Sequence, residues 1–66
     1  MEITVNGEKQ HHRDPLTVGG LLQSLGINPR SVVVERNLQI VPRSEMENEP
    51  VGEGDAIEII RFVGGG

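Results

Sequence analysis

The chain has 66 residues, a formal net charge of −4 at pH 7, no cysteine and a single aromatic residue, Phe62. A chain this short forms one domain that buries about 60% of its unfolded surface, so its core must be small. The absence of cysteine excludes disulfides, thiolate metal sites and cysteine nucleophiles. The basic residues are scattered and no stacking aromatics accompany them, which argues against nucleic-acid binding. No apolar run approaches the roughly 20 residues of a membrane span, and we expect a cytoplasmic protein.

The first two predicted strands form a hairpin. An alternating apolar and polar segment leads directly into Asn6-Gly7. This dipeptide is a strong hairpin signal, because both central residues of a type I′ turn need positive φ. We therefore expect residues 2–5 and 8–13 to pair antiparallel, with the second strand polar and at a sheet edge.

One amphipathic helix is predicted after this hairpin. Thr17 is a favourable N-cap, and Gly26 occupies the C′ position at which helices commonly end. Between them the apolar residues recur at helical spacing and form one stripe. The stripe consists of Val18, Leu21, Leu22 and Leu25. It needs a partner layer, and a sheet is the natural one for a single helix.

The second half of the chain predicts two short strands, a helical turn and a final strand. Residues 31–36 are β-branched at their centre, which is typical of a strand, and residues 39–41 form a short return strand. Ser44 and Glu47 have the spacing of a capping box, which predicts one helical turn between them. Residues 56–62 alternate in the manner of a strand and complete the fold.

The order of these elements predicts an α+β fold, in which one helix covers one face of a mixed sheet of about five strands. The final strand is among the most apolar. It should therefore be central, parallel to the first strand and flanked by the third. We expect residues 1–63 to form the domain and residues 64–66 to form a flexible glycine tail, because glycine has the greatest backbone entropy.

The sheet face opposite the helix has no predicted cover. Along the final strand Ile57 and Ile59 should face the core, while Ile60 and Phe62 point to the opposite face. We predict that Ile60, Phe62 and Val63, which lie beside the tail, dock partner proteins. The acidic surface of the last third of the chain suits a partner with a basic groove. Scattered apolar surface residues are common, and this is the alternative interpretation.

The residues do not predict a catalytic or metal site. The serines have no Gly-rich elbow and no nearby histidine in the sequence. His11 and His12 are adjacent on a predicted strand, so their imidazoles should point to opposite faces of the sheet and not share a metal ion. We expect no metal and no enzymatic activity.

The sequence closes with Gly64, Gly65 and Gly66. Three residues without side chains can thread a narrow channel and present the terminal carboxylate about 10 Å beyond the domain. That carboxylate is ionised at neutral pH and is a poor electrophile until another protein activates it. The chain is therefore predicted to be a substrate or carrier, and a frayed chain end is the alternative interpretation.

Six segments carry, in order, a resemblance to a known family: ITVNG, TVGGLLQSLGI, VVVERN, IVPRSE, GEGD and EIIRFVGGG. The chain resembles the sulfur carriers of thiamin (thiazole) biosynthesis, which belong to the ubiquitin-like β-grasp family. The resemblance implies a β-grasp roll whose Gly66 carboxylate is adenylated by an ATP-dependent activating enzyme, with no cofactor bound by the chain itself. It further implies conversion to a thiocarboxylate, with sulfur mobilised from cysteine by a system such as a cysteine desulfurase. Thiazole synthase would then receive that sulfur.

Three other functions are open from the sequence. The small subunit of molybdopterin synthase uses the same kind of tail to carry sulfur. A ubiquitin-like modifier joins its terminus to lysine amines, and a non-covalent β-grasp interaction module does not use its tail. Deleting the last two glycines would separate the interaction module from all the others.

Overall fold

The computed structural model describes residues 1–62, which form a mixed five-stranded sheet covered on one face by a helix. In chain order the elements are β1 (Glu2–Val5), β2 (Glu8–His11), β3 (Leu16–Thr17), α1 (Val18–Ser24), a 3₁₀ turn (Pro29–Ser31), β4 (Val32–Arg36), β5 (Gln39–Val41), a second 3₁₀ turn (Arg43–Glu45), β6 (Pro50–Val51) and β7 (Ala56–Arg61). The predicted α+β class is confirmed. Within residues 1–62 no helix is long and apolar enough to span a bilayer.

Strand β7 lies at the centre of the main sheet, whose strand order is β2-β1-β7-β4-β5. It runs parallel to β1 and antiparallel to β4. The final strand was predicted to lie between the first strand and the strand over residues 31–36, which is β4, and this position is confirmed. Alternate side chains of this central strand face the helix, which is why Ile57 and Ile59 are buried.

Helix α1 begins and ends at the residues that the sequence indicates. The Thr17 side-chain oxygen accepts a hydrogen bond from the backbone N–H of Gly20 at 3.0 Å, which is the expected N-cap contact. Gly26 follows the helix with a φ of +71°, a left-handed conformation that glycine adopts without steric cost.

The core lies between α1 and the inner face of the main sheet. Its buried apolar residues are Ile3, Val5, Val18, Leu21, Leu22, Val32, Val34, Val41, Met46, Val51, Ile57 and Ile59. Three of the four predicted stripe residues are among them. The fourth, Leu25, is 38% exposed, because the helix ends at Ser24 and Leu25 is its C-cap.

Three predicted strand boundaries are corrected by one or two residues. β2 ends at His11 rather than at residue 13, because its partner strand begins at Glu2. β4 begins at Val32 rather than at residue 31, because Ser31 closes a 3₁₀ turn. β7 ends at Arg61 rather than at residue 62, because Arg61 pairs with Val32, the first residue of β4.

The helical turn predicted between Ser44 and Glu47 is wrong in its bounds and in its cap. The chain forms a 3₁₀ turn over Arg43–Glu45, in which the N–H of Glu45 bonds to the carbonyl of Pro42 at 2.9 Å. Ser44 therefore lies inside the turn, and no side chain caps it. The capping-box pattern does not form because the turn starts before its first residue.

Strands β3 and β6 form a second, two-stranded sheet that the sequence did not predict. Leu16 pairs with Val51 and Thr17 pairs with Pro50. This short ladder ties the N-terminus of α1 to the segment that leads into β7.

Candidate functional site

The face of the main sheet opposite α1, the outer face, carries the predicted docking residues. Ile60 is 47% exposed and Phe62 is 59% exposed, whereas Ile57 and Ile59 are buried. The structure thus places Ile60 and Phe62 on the uncovered side of the sheet, as the strand alternation predicts. The third predicted docking residue, Val63, and the tail residues Gly64, Gly65 and Gly66 lie outside the described residues.

Two residues from neighbouring strands extend this apolar surface. Val33 of β4 lies directly opposite Ile60 of β7. Ile40 of β5 is 66% exposed and lies opposite Glu35 on the same face. Ile40 is a surface residue that was not predicted from the sequence, although its alternation with Val41 was the available signal. We call the four residues the outer patch: Val33, Ile40, Ile60 and Phe62.

A groove of about 280 Å³ runs beside Phe62 at the end of β7. Val32, Pro42 and Met46 line it together with outer-patch residues. The backbone N–H of Phe62 donates to the carbonyl of Ser31 at 3.2 Å, which holds this end of the chain against β4. A partly apolar groove next to the predicted tail can receive an apolar side chain of a partner.

Two carboxylates lie in the middle of the outer face. Glu35 and Glu58 are register partners on β4 and β7. Like charges directly opposite each other destabilise a sheet. Among residues 1–62 no basic side chain forms an ion pair with either carboxylate. On the outer face a pair of carboxylates thus lies next to the apolar pair Val33 and Ile60 on the same two strands, an arrangement that complements a partner with a basic and an apolar group.

Asp55 anchors the segment that leads into β7. Its carboxylate accepts hydrogen bonds from the N–H of Gly52 at 2.8 Å, from the side-chain amide of Asn37 at 3.0 Å and from Arg36 at 3.3 Å. Partial burial raises the pKa of Asp55, but these hydrogen bonds and the charge of Arg36 outweigh it, so the pKa lies below its ordinary value. The network fixes the start of β7, at the end away from Phe62.

The two histidines have separate partners. The Nε2 of His11 lies 3.5 Å from the carboxylate of Glu2, and the Nε2 of His12 lies 2.8 Å from the side-chain oxygen of Gln10. The structure does not bring the two imidazoles to one site. Within residues 1–62 no group of three His, Cys, Asp or Glu residues is placed to hold a metal ion.

The chain is similar in sequence to a curated sulfur carrier protein and to a part of two longer proteins. The chain is 37% identical over 65 residues to the sulfur carrier protein ThiS of Bacillus subtilis, covering 97% of this chain and 98% of that protein. It is 46% identical over 66 residues to a thiazole synthase of Paramagnetospirillum magneticum, and 41% identical to one of Magnetococcus marinus. The chain spans only 20% of the length of each of these two thiazole synthases.

The fold is similar to that of a solved structure. A crystal structure of the thiamine biosynthesis protein ThiS from Geobacter metallireducens matches this chain with a TM-score of 0.87 at 35% sequence identity, and both chains are covered in full. A sequence model of the ThiS family matches residues 1–66. The predicted β-grasp fold is therefore confirmed, and the chain belongs to the ThiS family.

Proposed function

We propose that the chain is a sulfur carrier of thiamin biosynthesis and that it holds sulfur as a thiocarboxylate on Gly66. The observation that carries this proposal is the match along nearly the whole length of the Bacillus protein, whose name is sulfur carrier protein ThiS. The lack of cysteine supports it, because a chain without thiols needs another group to bear sulfur. Gly64 and Gly65 would let the carboxylate enter the active site of another protein, since they add no side chains.

The chemistry needs two displacement steps, and neither uses a side chain of this protein. A carboxylate oxygen of Gly66 attacks the α-phosphorus of ATP, and pyrophosphate leaves. A sulfur nucleophile at the oxidation level of sulfide then attacks the acyl carbon, and AMP leaves with the original oxygen. The products are a thiocarboxylate, AMP and pyrophosphate, with no net oxidation or reduction. In this scheme the chain is a substrate of the activating enzyme, which binds the ATP. A donor such as a cysteine desulfurase supplies the sulfur as a persulfide, and a thiol reductant, which is oxidised to a disulfide, brings that sulfur to the sulfide level.

We assign the docking of the activating enzyme to the outer patch. Ile60 and Phe62 are exposed apolar residues at the end of β7, from which the tail continues. Glu35 and Glu58 provide a pair of negative charges that a basic side chain of the partner can neutralise. Such complementarity steers encounter and fixes orientation, while the apolar contacts supply most of the affinity.

Thiazole synthase is the acceptor that we propose. In two relatives named thiazole synthase, a region similar to this chain is one fifth of a longer protein. Joining a carrier and its acceptor in one chain raises their effective concentration, and that arrangement is useful only for parts that work together. Because activation consumes ATP, we place the reaction in the cytoplasm.

The experiment is a loading reaction followed by mass spectrometry. The intact mass first establishes that Gly66 carries the terminal carboxylate. With ATP, the activating enzyme and the sulfur donor, one oxygen should be exchanged for sulfur, and fragmentation should place the change on the C-terminal residue. Omitting ATP, or deleting Gly65 and Gly66, should abolish the product without unfolding the domain. An increased mass that maps only to Met1 or Met46 would be oxidation and would refute the carrier function. An amide bond to a lysine would indicate a protein modifier instead.

A further inference from the structure

Two asparagines brace β7 from the first positions of two hairpin turns: Asn37 contacts the first residue of the strand, and Asn6 contacts Ile59, nearer its C-terminal end. Asn6 has a φ of +50° and Asn37 a φ of +52°, a left-handed conformation that asparagine tolerates better than most residues. The side-chain oxygen of Asn6 accepts from the N–H of Ile59 at 2.7 Å, and its side-chain nitrogen donates to the carbonyl of Ile59 at 3.3 Å. Asn37 accepts from the N–H of Ala56 at 2.9 Å through its side-chain oxygen.

The Asn6 side chain replaces a backbone partner that β1 cannot supply. The ladder between β1 and β7 includes hydrogen bonds from the N–H of Thr4 to Asp55 and from the N–H of Asn6 to Ile57. The next residue of β7 that faces β1 is Ile59, since alternate residues of a strand bond to the same neighbour. Because the chain turns at Gly7, β1 has no backbone group opposite Ile59. The side-chain amide of Asn6 instead bonds to the backbone N–H and to the carbonyl of Ile59.

This brace lies directly beside the docking residues. Ile59 immediately precedes Ile60, and Phe62 follows two residues later. Arg61, the next residue in the series that faces β1, has no comparable side-chain brace among residues 1–62. Asn6 is therefore the last contact that fixes β7 from the β1 side before the chain reaches the tail.

We propose that Asn6 is a positioning residue for sulfur loading: it holds the end of β7 so that Ile60 and Phe62 meet the activating enzyme in one orientation. The inference rests on the proposed function and adds a residue that does not touch the reacting carboxylate. Without the brace, the end of β7 is held only by β4, and the docking side chains sample more than one orientation. The activating enzyme then binds only a fraction of the population productively, which raises the KM for the carrier.

Asn37 is a matched control within the same molecule. It also makes two side-chain hydrogen bonds, to the N–H of Ala56 and to the carboxylate of Asp55. It braces the first residue of β7, about 20 Å along the strand from Phe62 at 3.3 Å per residue, whereas Ile59 lies about 10 Å from Phe62. A loss of stability alone should therefore affect loading equally in variants of Asn6 and Asn37, whereas a positioning role should distinguish them.

The test compares Asn6→Gly with Asn37→Gly, because glycine keeps the positive φ of each turn and removes only the side chain. Amide hydrogen exchange should become about tenfold faster at Ile59 in the first variant and at Ala56 in the second. With the activating enzyme, ATP and the carrier as the varied substrate, Asn6→Gly should raise the KM about tenfold and leave kcat within about twofold. Asn37→Gly should leave both parameters within about twofold of the wild type.

The pair Asn6→Asp and Asn37→Ser repeats the contrast if a glycine variant does not fold, since Asn37→Asp would place a second carboxylate against that of Asp55. Aspartate keeps the oxygen that accepts from Ile59 and loses the nitrogen that donates to it, so the KM should rise about threefold for Asn6→Asp only. Equal KM values for the two variants in either pair would overturn the inference and leave the carrier function intact. A wild-type chain that the activating enzyme does not load at all would overturn the carrier function, and the positioning role with it.

Discussion

Replacing Phe62 with serine should weaken binding to the activating enzyme while leaving the fold unchanged. Phe62 is 59% exposed, so most of its ring does not contribute to the core. Its backbone N–H bonds to the carbonyl of Ser31, a contact that any residue with an N–H can make. The side chain is thus available to a partner, and its removal separates docking from folding.

The magnitude follows from the exposed area. A phenylalanine side chain buries about 200 Å² when fully covered, so about 120 Å² of Phe62 is left for a partner at 59% exposure. At about 25 cal/mol per Å², that area contributes about 3 kcal/mol. Serine retains little of this contribution, so a loss of about 2–3 kcal/mol should raise the Kd about 30- to 150-fold.

Titration calorimetry of the purified activating enzyme with the wild type and the variant gives this ratio. Leu38→Ser is the matched control, because Leu38 is 88% exposed but lies in the β4–β5 turn, at the other end of the sheet. It should bind within about twofold of the wild type. Urea unfolding of both variants should give midpoints close to that of the wild type. An unchanged Kd for Phe62→Ser with both the activating enzyme and thiazole synthase would refute the docking assignment and direct attention to the acidic segment of residues 45–55.

Three further predictions concern stability. Asp55→Asn should lower the free energy of unfolding by about 1–3 kcal/mol at neutral pH. The pKa of Asp55 is lower in the folded than in the unfolded protein, so the extra stability of the wild type is present above about pH 4. It disappears as the pH falls through the folded pKa. Urea titrations at several pH values would measure this dependence. Leu22→Ala removes a fully buried side chain and should cost about 2–5 kcal/mol, a large part of the roughly 3–10 kcal/mol expected for this length; an unchanged urea midpoint would contradict the core assignment. Gly19→Ala would bring a Cβ to 2.9 Å from the carboxylate of Glu47, which is exposed and can rotate away. Because alanine has a higher helix propensity than glycine, the melting temperature should rise slightly. A lower melting temperature would show that the Glu47 contact is rigid.

Local signals account for the parts of the fold that the sequence predicted. The Asn6-Gly7 hairpin, the Thr17 cap and the Gly26 terminus each depend on residues within a few positions of one another. The alternation of Ile57 to Phe62 also assigns inner and outer faces without knowledge of the neighbouring strands. For this reason the covered face and the predicted docking residues could be separated before the topology was known.

The features that the sequence did not predict depend on distant segments or on competing local turns. The β3–β6 ladder joins Leu16 to Val51, and two-residue strands leave no detectable periodicity. Ser44 has a capping-box pattern, yet the 3₁₀ turn begins earlier and prevents that pattern from forming. The contact of Asn6 with Ile59 joins residues 53 positions apart. It could not be predicted, because the turn conformation of Asn6-Gly7 already explains an asparagine at this position. The alternation of Ile40 with Val41 indicates its exposure, but its place beside Glu35 on the outer face follows only from the β4–β5 register.

The most direct test of the carrier function follows one sulfur atom from this chain to a product. The chain is loaded with isotopically labelled sulfur, purified away from ATP, the activating enzyme and the sulfur donor, and mixed with thiazole synthase and its other substrates in a single turnover. We predict that the label appears in the thiazole product and that Gly66 returns to an ordinary carboxylate in equal amount. Label that stays on the chain while unlabelled thiazole forms, or label that leaves only as free sulfide, would contradict the function proposed for this protein.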